Sequence, residues 1–197
     1  VGNVGAFLRI YHSQNIDALA VKSSSDFSKI NKIILPGVGS FDAAMSKLNN
    51  SGLRDGLDEF VLGRKLPLLG VCIGMHMLGS SSEEGVLAGL GYINGQTLRM
   101  ATNRPNISYL LPHMGWNSVS VSSDDAIWKG VNLEQGFYFL HSYSFRTANE
   151  ESVIGISNYY GEITCAIKAQ KIYGFQFHPE KSLSNGITLL CNFAESI

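Results

Sequence analysis

The chain has 197 residues, of which 45% are hydrophobic and 16% are charged, and its formal net charge is -1. A chain of this length and composition can bury one substantial core, which predicts a single globular domain over residues 1–197. The charge balance excludes the basic excess that is typical of nucleic-acid-binding proteins. No apolar run approaches the roughly 20 residues that span a bilayer, so no membrane association is expected.

The first half of the chain alternates strand-like and helical patterns. Val4, Phe7, Leu8 and Tyr11 follow the i, i+3, i+4, i+7 spacing of an amphipathic helix. Further elements are predicted as strands at Ala18–Val21, Lys32–Leu35 and Leu68–Cys72, and as helices at Phe41–Leu48, at Leu53–Leu62 and from Gly74 onward. This alternation predicts an α/β fold with a mostly parallel central sheet and flanking helices, a flavodoxin-like three-layer arrangement.

The second half has closely spaced strand patterns with short turns, which predict a smaller antiparallel β region joined to the sheet. The predicted strands are Ser118–Ser122, Phe137–Leu140, Val153–Ile156, Ile163–Ala169 and Ile172–Phe177. A closing helix is predicted at Asn185–Ser196, because its apolar residues recur on one face.

A nucleophile is suggested where the Leu68–Cys72 strand ends. Gly70, Cys72 and Gly74 form G-x-C-x-G, the cysteine version of a nucleophile elbow at a strand-to-helix turn. The helix that follows directs its N-terminal amides at the sulfur and favours the thiolate, and the amide of Ile73 can face an oxyanion. A buried structural cysteine beside packing glycines is the alternative.

A base for this thiol is suggested by His178-Pro179-Glu180, which follows an apolar strand. Residues i and i+2 of an extended chain point the same way, so Glu180 can lie beside His178 and fix its tautomer. Metal binding by His178 is the rival interpretation, but His141 is the nearest other histidine in sequence and no third ligand is suggested.

A glycine-rich turn follows the Lys32–Leu35 strand. Gly37 and Gly39 allow the backbone to approach a ligand and reorient an amide. A phosphate-binding loop is excluded, because the turn lacks the third glycine of G-x-G-x-x-G and any Gly-Lys-Ser/Thr pair. A plain turn remains possible at this point, beside an amide donor that would complete an oxyanion site with Ile73.

The three cysteines, Cys72, Cys165 and Cys191, form no C-x-x-C pair and no metal-ligand spacing with the histidines. We therefore expect no metal and no organic cofactor, with Cys165 and Cys191 packed in the interior. Widely spaced, unpaired thiols favour a reducing compartment, and we expect the cytoplasm.

Together these stretches resemble the class I, triad-type glutamine amidotransferase family. Two further segments, Pro-His-Met-Gly-Trp-Asn at 112–117 and Tyr-Phe-Leu-His-Ser-Tyr at 138–143, are similar to the histidine-biosynthesis branch of that family. The resemblance implies that glutamine is hydrolysed through a thioester. It also implies that the ammonia passes to a (β/α)8 cyclase partner, which forms imidazole glycerol phosphate and AICAR.

The resemblance also implies roles for individual residues. Cys72, His178 and Glu180 would form the triad, and Gly39 and Ile73 would lie at the oxyanion site. The glutamine pocket would be lined by Gly37, His76, Ser142 and Tyr143, and the partner would be faced by Asn3, Met114, Trp116 and Lys181.

Two departures from the family pattern matter. His76 stands where the family usually has a glutamine that contacts the substrate, which puts glutamine affinity and its pH dependence in question. The family also begins with a strand before Gly-Asn, and we expect that strand to be missing from this sequence.

Two other functions stay open from the sequence. One is a related amidotransferase that supplies ammonia to a sugar-modifying synthase for surface polysaccharide. The other is a Cys-dependent peptidase or hydrolase of the same fold. A non-catalytic regulatory binder is disfavoured, because the three triad residue types are all present.

Overall fold

The structure is a computed structural model that describes residues 2–101, 103–104, 107–108, 110–122 and 124–197. The helices are α1 (Val4–Ser13), α2 (Phe41–Asn49), α3 (Arg54–Asp58), α4 (Ile73–Met77) and α5 (Leu183–Ser196). After α3 the chain continues as a π-helical segment, Glu59–Gly63, and 3-10 turns lie at Ser24–Lys29, Ala126–Trp128, Glu150–Ser152 and Pro179–Lys181.

The strands are β1 (Ile33–Gly37), β2 (Leu68–Cys72), β3 (Ser81–Ser82), β4 (Gly95–Arg99), β5 (Asn103–Arg104), β6 (Ile107–Ser108), β7 (His113–Asn117), β8 (Ser120–Val121), β9 (Phe137–His141), β10 (Tyr143–Thr147), β11 (Val153–Asn158), β12 (Glu162–Ala169) and β13 (Ile172–Phe175).

The main sheet has the order β1-β2-β13-β12-β11-β8. The pairs β1–β2 and β2–β13 are parallel, whereas β12, β11 and β8 extend the sheet in antiparallel fashion. The predicted α/β class is confirmed, as a mixed sheet. The antiparallel part is joined to the parallel part through β13, so β2 and β13 end side by side at the same edge, where ligands of α/β sheets bind.

Most predicted elements are present within a few residues of their expected bounds. The strand predicted at Ser118–Ser122 is reduced to the two residues of β8, and the one predicted at Ile172–Phe177 ends at Phe175, before the chain turns toward His178. The β1 strand includes Pro36, which an edge strand tolerates because one of its sides has no ladder to complete.

The prediction of a strand at Ala18–Val21 is wrong. These residues form no ladder, because no strand of the described residues lies next to them. They line one side of a groove of about 950 Å³ that runs along the free edge of β1. A short apolar run can predict an extended chain, but backbone hydrogen bonds from a neighbour are needed to make it a strand.

One cluster of buried side chains connects both halves of the chain. Phe41 and Leu69 from the first half and Phe137, Phe175 and Phe193 from the second all belong to it. The last of these is on α5, which packs against α1, and the hydroxyl of Tyr11 on α1 donates to the carbonyl oxygen of Leu190 at 3.0 Å. This core supports the β2 and β13 ends from below and fixes their relative positions.

Candidate active site

Cys72 lies at the turn between β2 and α4, with its backbone in an unusual conformation. Its φ is +55° and its ψ is -114°, a region that non-glycine residues occupy only when surrounding packing enforces it. Gly74 permits that close packing because it has no side chain. A Cβ at this position would overlap the carbonyl oxygen of Leu35 on β1. The backbone strain at Cys72 therefore results from the close approach of β1 to the first turn of α4.

His178 and Glu180 follow β13 and come together at this turn. The Nδ1 atom of His178 lies 2.9 Å from Oε1 of Glu180, and both side chains are almost fully buried. Cys72 and His178 also border the same cavity, and interaction with the Cys72 side chain raises the pKa of His178. The structure thus brings the three sequence-predicted side chains together, with Cys72 and His178 on the wall of one cavity and the Glu180 carboxyl against the His178 ring.

The backbone around His178 is held by β9. The His178 amide donates to the carbonyl oxygen of Tyr138 on β9 at 2.8 Å. The hydroxyl of Ser182, which is fully buried, donates to the His178 carbonyl oxygen at 2.6 Å and accepts from the Tyr138 amide at 3.0 Å. These three bonds fix the backbone that carries the His178 ring, and none of them uses a ring nitrogen.

The charge state of His178 is set by opposing effects. Burial is the largest and lowers the pKa, but hydrogen bonds and charge interactions with Cys72 and Glu180 outweigh it and raise the pKa to about 9. Near neutral pH the ring therefore carries both protons. An imidazolium in this position can hold a thiolate on one side and a carboxylate on the other.

Cys72 and His178 border a cavity of about 460 Å³. Of the residues predicted for catalysis, the oxyanion site and substrate binding, the wall includes Gly39, Cys72, Ile73, His76, Ser142, Tyr143 and His178. Lys181, predicted for the partner surface, also lines it. Gly37 and Glu180 are not part of the wall, since Gly37 pairs with Cys72 behind the turn and Glu180 lies behind the imidazole.

Other wall residues were given no role from the sequence: Val38, Glu84, Pro112, Leu140 and His141. Glu84 is the charged one among them, and its Oε2 accepts a hydrogen bond from the Phe41 amide at 2.9 Å. Burial is the main influence on its pKa and raises it. The sequence signal for Glu84 was its place in the Ser-Glu-Glu-Gly stretch at 82–85, from which no contact could be deduced.

His76 is a fully buried part of the cavity wall. Its Nε2 lies 2.8 Å from Oε1 of Gln176, and an amide oxygen only accepts, so Nε2 carries the proton. Burial lowers the pKa of His76 to about 4, although the bond to Gln176 acts in the other direction. The ring is therefore neutral near pH 7. Its Nδ1 has no hydrogen-bond partner among the described residues.

An apolar patch lies on the outward side of the β7–β9 pair. We call Met114, Trp116, Tyr138 and Leu140 the outer face; Met114 pairs with Leu140 and Trp116 with Tyr138. Met114 is 65% exposed and Trp116 is 46% exposed. Lys181 adjoins this face, with its Nζ 5.6 Å from the Tyr138 ring centre, and it also lines the cavity.

Asn3 is exposed and caps α1, where its side-chain oxygen accepts from the Ala6 amide at 3.3 Å. Helix α1 packs against the Pro179–Lys181 turn. The four residues predicted to face a partner are thus spread over the outer face, the cavity rim and the start of α1.

Over the described ranges, no three His, Cys, Asp or Glu side chains are grouped closely enough to hold a metal ion. In the same part of the chain, every helix is too short or too polar to cross a bilayer. Cys72, Cys165 and Cys191 are all free thiols; Cys165 is fully buried, as expected, while Cys191 is only partly so.

Comparison with known proteins gives a consistent result over the whole chain. Residues 3–196 match the family model of class I glutamine amidotransferases. The chain is 44% identical to the imidazole glycerol phosphate synthase subunit HisH of Leptospira borgpetersenii, over 98% of this chain and 95% of that protein. It is 43% identical to the protein of the same name from Bdellovibrio bacteriovorus, over 99% and 96%.

Solved structures with lower identity share the fold. One, described as a glutamine amidotransferase, superposes with a TM-score of 0.71 at 19% identity, covering 98% of this chain and 93% of that one. The glutaminase domain of Trypanosoma brucei CTPS, solved with bound acivicin, has a TM-score of 0.62 at 16% identity, covering 97% and 85%. At these identities the likeness concerns the fold alone.

Proposed function

Because the chain belongs to the class I glutamine amidotransferase family, we propose that it hydrolyses glutamine to glutamate and ammonia with Cys72, His178 and Glu180 as its triad. The observation that carries this proposal is that the strained Cys72 turn and His178 border the same cavity, while the Glu180 carboxyl lies 2.9 Å from Nδ1 of His178. Each of the three groups then has a neighbour suited to its part in acyl transfer.

The proposed reaction begins with attack of the Cys72 sulfur on the side-chain amide carbon of glutamine. His178 gives its Nε2 proton to the leaving nitrogen, so ammonia departs and a thioester remains. His178 then accepts a proton from water, which attacks the thioester and releases glutamate and the thiolate. Glu180 holds Nδ1–H throughout and stabilises the imidazolium each time it forms.

Backbone amides at Gly39 and Ile73 are proposed to bind the oxyanion. Both residues border the cavity next to Cys72, and Gly39 has a φ of +91°, which a side chain would disfavour. Gly37 lies directly behind the turn, where a Cβ would collide with the backbone of Gly74, so its role is to let β1 come close. An oxyanion donor of this kind is typically worth about 2.7–4 kcal/mol in the transition state.

The remaining wall is proposed to bind the amino-acid part of glutamine. The substrate carries one ammonium and one carboxylate, and the wall offers Glu84 and Lys181 as opposite charges. His76, Ser142 and Tyr143 complete the pocket. A peptidase is not favoured, because a cavity of about 460 Å³ with charges for both ends of a free amino acid suits one residue better than an extended chain.

The ammonia is proposed to pass to a (β/α)8 cyclase that makes imidazole glycerol phosphate and AICAR in histidine biosynthesis. Support comes from the relatives above, which are named as subunits of imidazole glycerol phosphate synthase. The outer face, Lys181 and Asn3 are proposed to form the contact in a heterodimer. The three free thiols fit a reducing compartment, and we propose the cytoplasm.

Labelling with the glutamine analogue diazo-oxo-norleucine tests the nucleophile. We expect one adduct per chain, on the tryptic peptide that contains Cys72, and none in Cys72→Ala. The matched control is Cys191→Ala, which removes a partly exposed thiol and should label like the parent chain. An adduct on Cys165 or Cys191, or unchanged labelling of Cys72→Ala, would refute the proposed nucleophile.

The acceptor needs a separate measurement. The chain should copurify in a 1:1 complex with the cyclase of its own organism, and the complex should form imidazole glycerol phosphate from glutamine. Glutaminase activity with no such complex, together with binding to a sugar-modifying synthase, would contradict the histidine assignment while leaving the amidotransferase chemistry intact.

A further inference from the structure

Two histidines outside the triad are joined in a hydrogen-bonded chain beside the glutamine cavity. Nδ1 of His113 on β7 lies 2.9 Å from Nε2 of His141 on β9, and the two residues are register partners. Nδ1 of His141 lies 2.8 Å from the carbonyl oxygen of Tyr143. Both rings are buried. His141, Ser142 and Tyr143 all border the cavity, so the chain ends at the substrate site.

The proton positions in this chain follow from its partners. A carbonyl oxygen only accepts, so His141 must carry its proton on Nδ1. Burial is the main cause that lowers the pKa of His141 to about 3 and that of His113 to about 4, so both rings are neutral near pH 7. A neutral His141 can then only accept at Nε2, and His113 must donate from Nδ1.

The proton positions at the other end of this hydrogen-bonded chain are equally determined. Nε2 of His113 is left as an acceptor, and Nδ2 of Asn117 lies 3.2 Å from it. The Asn117 amide orientation is fixed independently, because its Oδ1 accepts from the Ser118 amide at 2.9 Å and its Nδ2 also donates to the Asn158 carbonyl oxygen at 2.8 Å. Every hydrogen bond in this series is therefore donated in the same direction, from Asn117 toward Tyr143.

This arrangement braces the turn that carries Ser142. His141 bonds to the carbonyl two residues ahead of it, which holds the bend between β9 and β10. The Ser142 carbonyl oxygen accepts from the Met100 amide at 3.0 Å, so its other side is held too. Without the bond from His113, the His141 ring would keep the Nδ1–H tautomer that the Tyr143 carbonyl requires, but it would lose the donor to Nε2 that holds its orientation.

We propose that His113 is a positioning residue for glutamine, which acts through the His141 ring to hold Ser142 and Tyr143 against the substrate. This proposal rests on the proposed glutaminase function. His113 itself does not line the cavity, and its ring is stacked between Phe139 at 4.6 Å and Tyr159 at 4.1 Å. A purely structural role would reside in this stacking, whereas the positioning role resides in Nδ1–H.

Two substitutions separate these roles. His113→Phe keeps a flat ring between Phe139 and Tyr159 but removes the donor. His113→Asn loses the ring but places an amide nitrogen where Nδ1 lies, so it can still donate to His141. For positioning through the hydrogen bond, KM for glutamine rises about three- to tenfold in His113→Phe and stays closer to the parent value in His113→Asn, with kcat changed less than KM in both.

The test is glutamine hydrolysis by the chain in complex with its cyclase partner, for the parent and both variants. His12→Phe, at the exposed end of α1, is the control and should leave both constants unchanged. Nitrogen-15 NMR of labelled histidine should show the Nδ1–H tautomer for His141 in all three proteins, with the Nε2 resonance shifted to that of an acceptor without a hydrogen bond only in His113→Phe.

The opposite ranking, with His113→Phe like the parent and His113→Asn impaired, would overturn the proposal in favour of packing. An unchanged KM in both variants would overturn it as well. If a variant does not fold, the tautomer of His141 in the parent decides, and a proton found on Nε2 would refute the chain. A parent complex that fails to hydrolyse glutamine would instead refute the proposed function.

Discussion

At the scale of the residue, His178 has the opposite charge behaviour from the three other buried histidines. His178 has its pKa raised to about 9, while burial lowers the pKa of His76, His113 and His141. The difference lies in the partners: interactions with Cys72 and Glu180 raise the pKa of His178, whereas the other three rings form hydrogen bonds only to neutral groups. Burial alone would make all four neutral, so Cys72 and Glu180 determine which ring can transfer a proton.

This charge behaviour predicts how stability depends on pH. A group whose folded pKa lies above its unfolded value stabilises the fold below the unfolded pKa and loses that effect as pH rises through the folded pKa. For His178 this stabilisation is lost between about pH 6.5 and about pH 9. The free energy of unfolding falls by up to roughly 3 kcal/mol across this range. Urea unfolding across this window measures it.

Glu180→Gln is the comparison for that measurement, since it removes one source of the raised pKa and keeps the shape of the side chain. Its unfolding free energy should fall less steeply between pH 6.5 and 8.5 than that of the parent. Equal slopes for the two proteins would show that Glu180 does not stabilise the protonated ring.

The sequence could predict that Cys72, His178 and Glu180 lie close together, but not most of their surroundings. Cys72 between two glycines and His178 two residues before Glu180 are local patterns, and local patterns determine local geometry. The His113–His141 contact depends on the register between β7 and β9, which no local pattern reveals. The bond from His76 to Gln176 likewise joins residues that lie far apart in sequence.

At the scale of the element, the turn between β2 and α4 depends on the absence of a side chain at Gly74. A Cβ there would overlap the Leu35 carbonyl oxygen, a backbone atom that cannot rotate away. We expect Gly74→Ala to destabilise the fold by more than about 3 kcal/mol, above the usual range for point mutants, and to abolish glutamine hydrolysis.

Gly5→Ala is the matched control, because Gly5 is in α1 and its added Cβ would meet only the end of the Arg9 side chain. That substitution should stabilise the protein by roughly 0.5–1 kcal/mol, as alanine does in a helix. Urea unfolding distinguishes the two, and a Gly74→Ala chain as stable as the parent would contradict the packing described for this turn.

Elements were predictable where a run of residues carried its own pattern and hydrogen-bonding partners were available. The β2 strand has the expected bounds because Leu68–Cys72 is apolar throughout and buried between β1 and β13. Ala18–Val21 has a similar pattern but no neighbouring strand among the described residues, so it stays outside the sheet. Pairing is a property of two segments and cannot be deduced from one.

At the scale of the whole molecule, the outer face and the cavity share a boundary at Lys181 and Leu140. Exposed tryptophan and methionine at the centre of a patch are typical of residues that dominate binding. Trp116→Ala should weaken binding to the cyclase by about 2 kcal/mol or more, roughly a thirtyfold increase in Kd. Because Trp116 is already exposed, the unfolding free energy should change by less than about 0.5 kcal/mol.

Leu62→Ala is the control for this measurement, since Leu62 is a similarly exposed apolar residue on the Glu59–Gly63 segment. It should leave the Kd unchanged in calorimetry or sedimentation. Equal affinities for Trp116→Ala and the parent would place the partner on another surface.

The role of Cys72 is tested by supplying two nitrogen sources, glutamine and ammonium, to the complex of the chain with the proposed cyclase partner. With Cys72→Ala, product formation from glutamine should fall to background, while formation from added ammonium salt should match the parent complex, because the acceptor chemistry belongs to the partner. Product still formed from glutamine by Cys72→Ala would contradict the account, since the thiol would then not be the nucleophile.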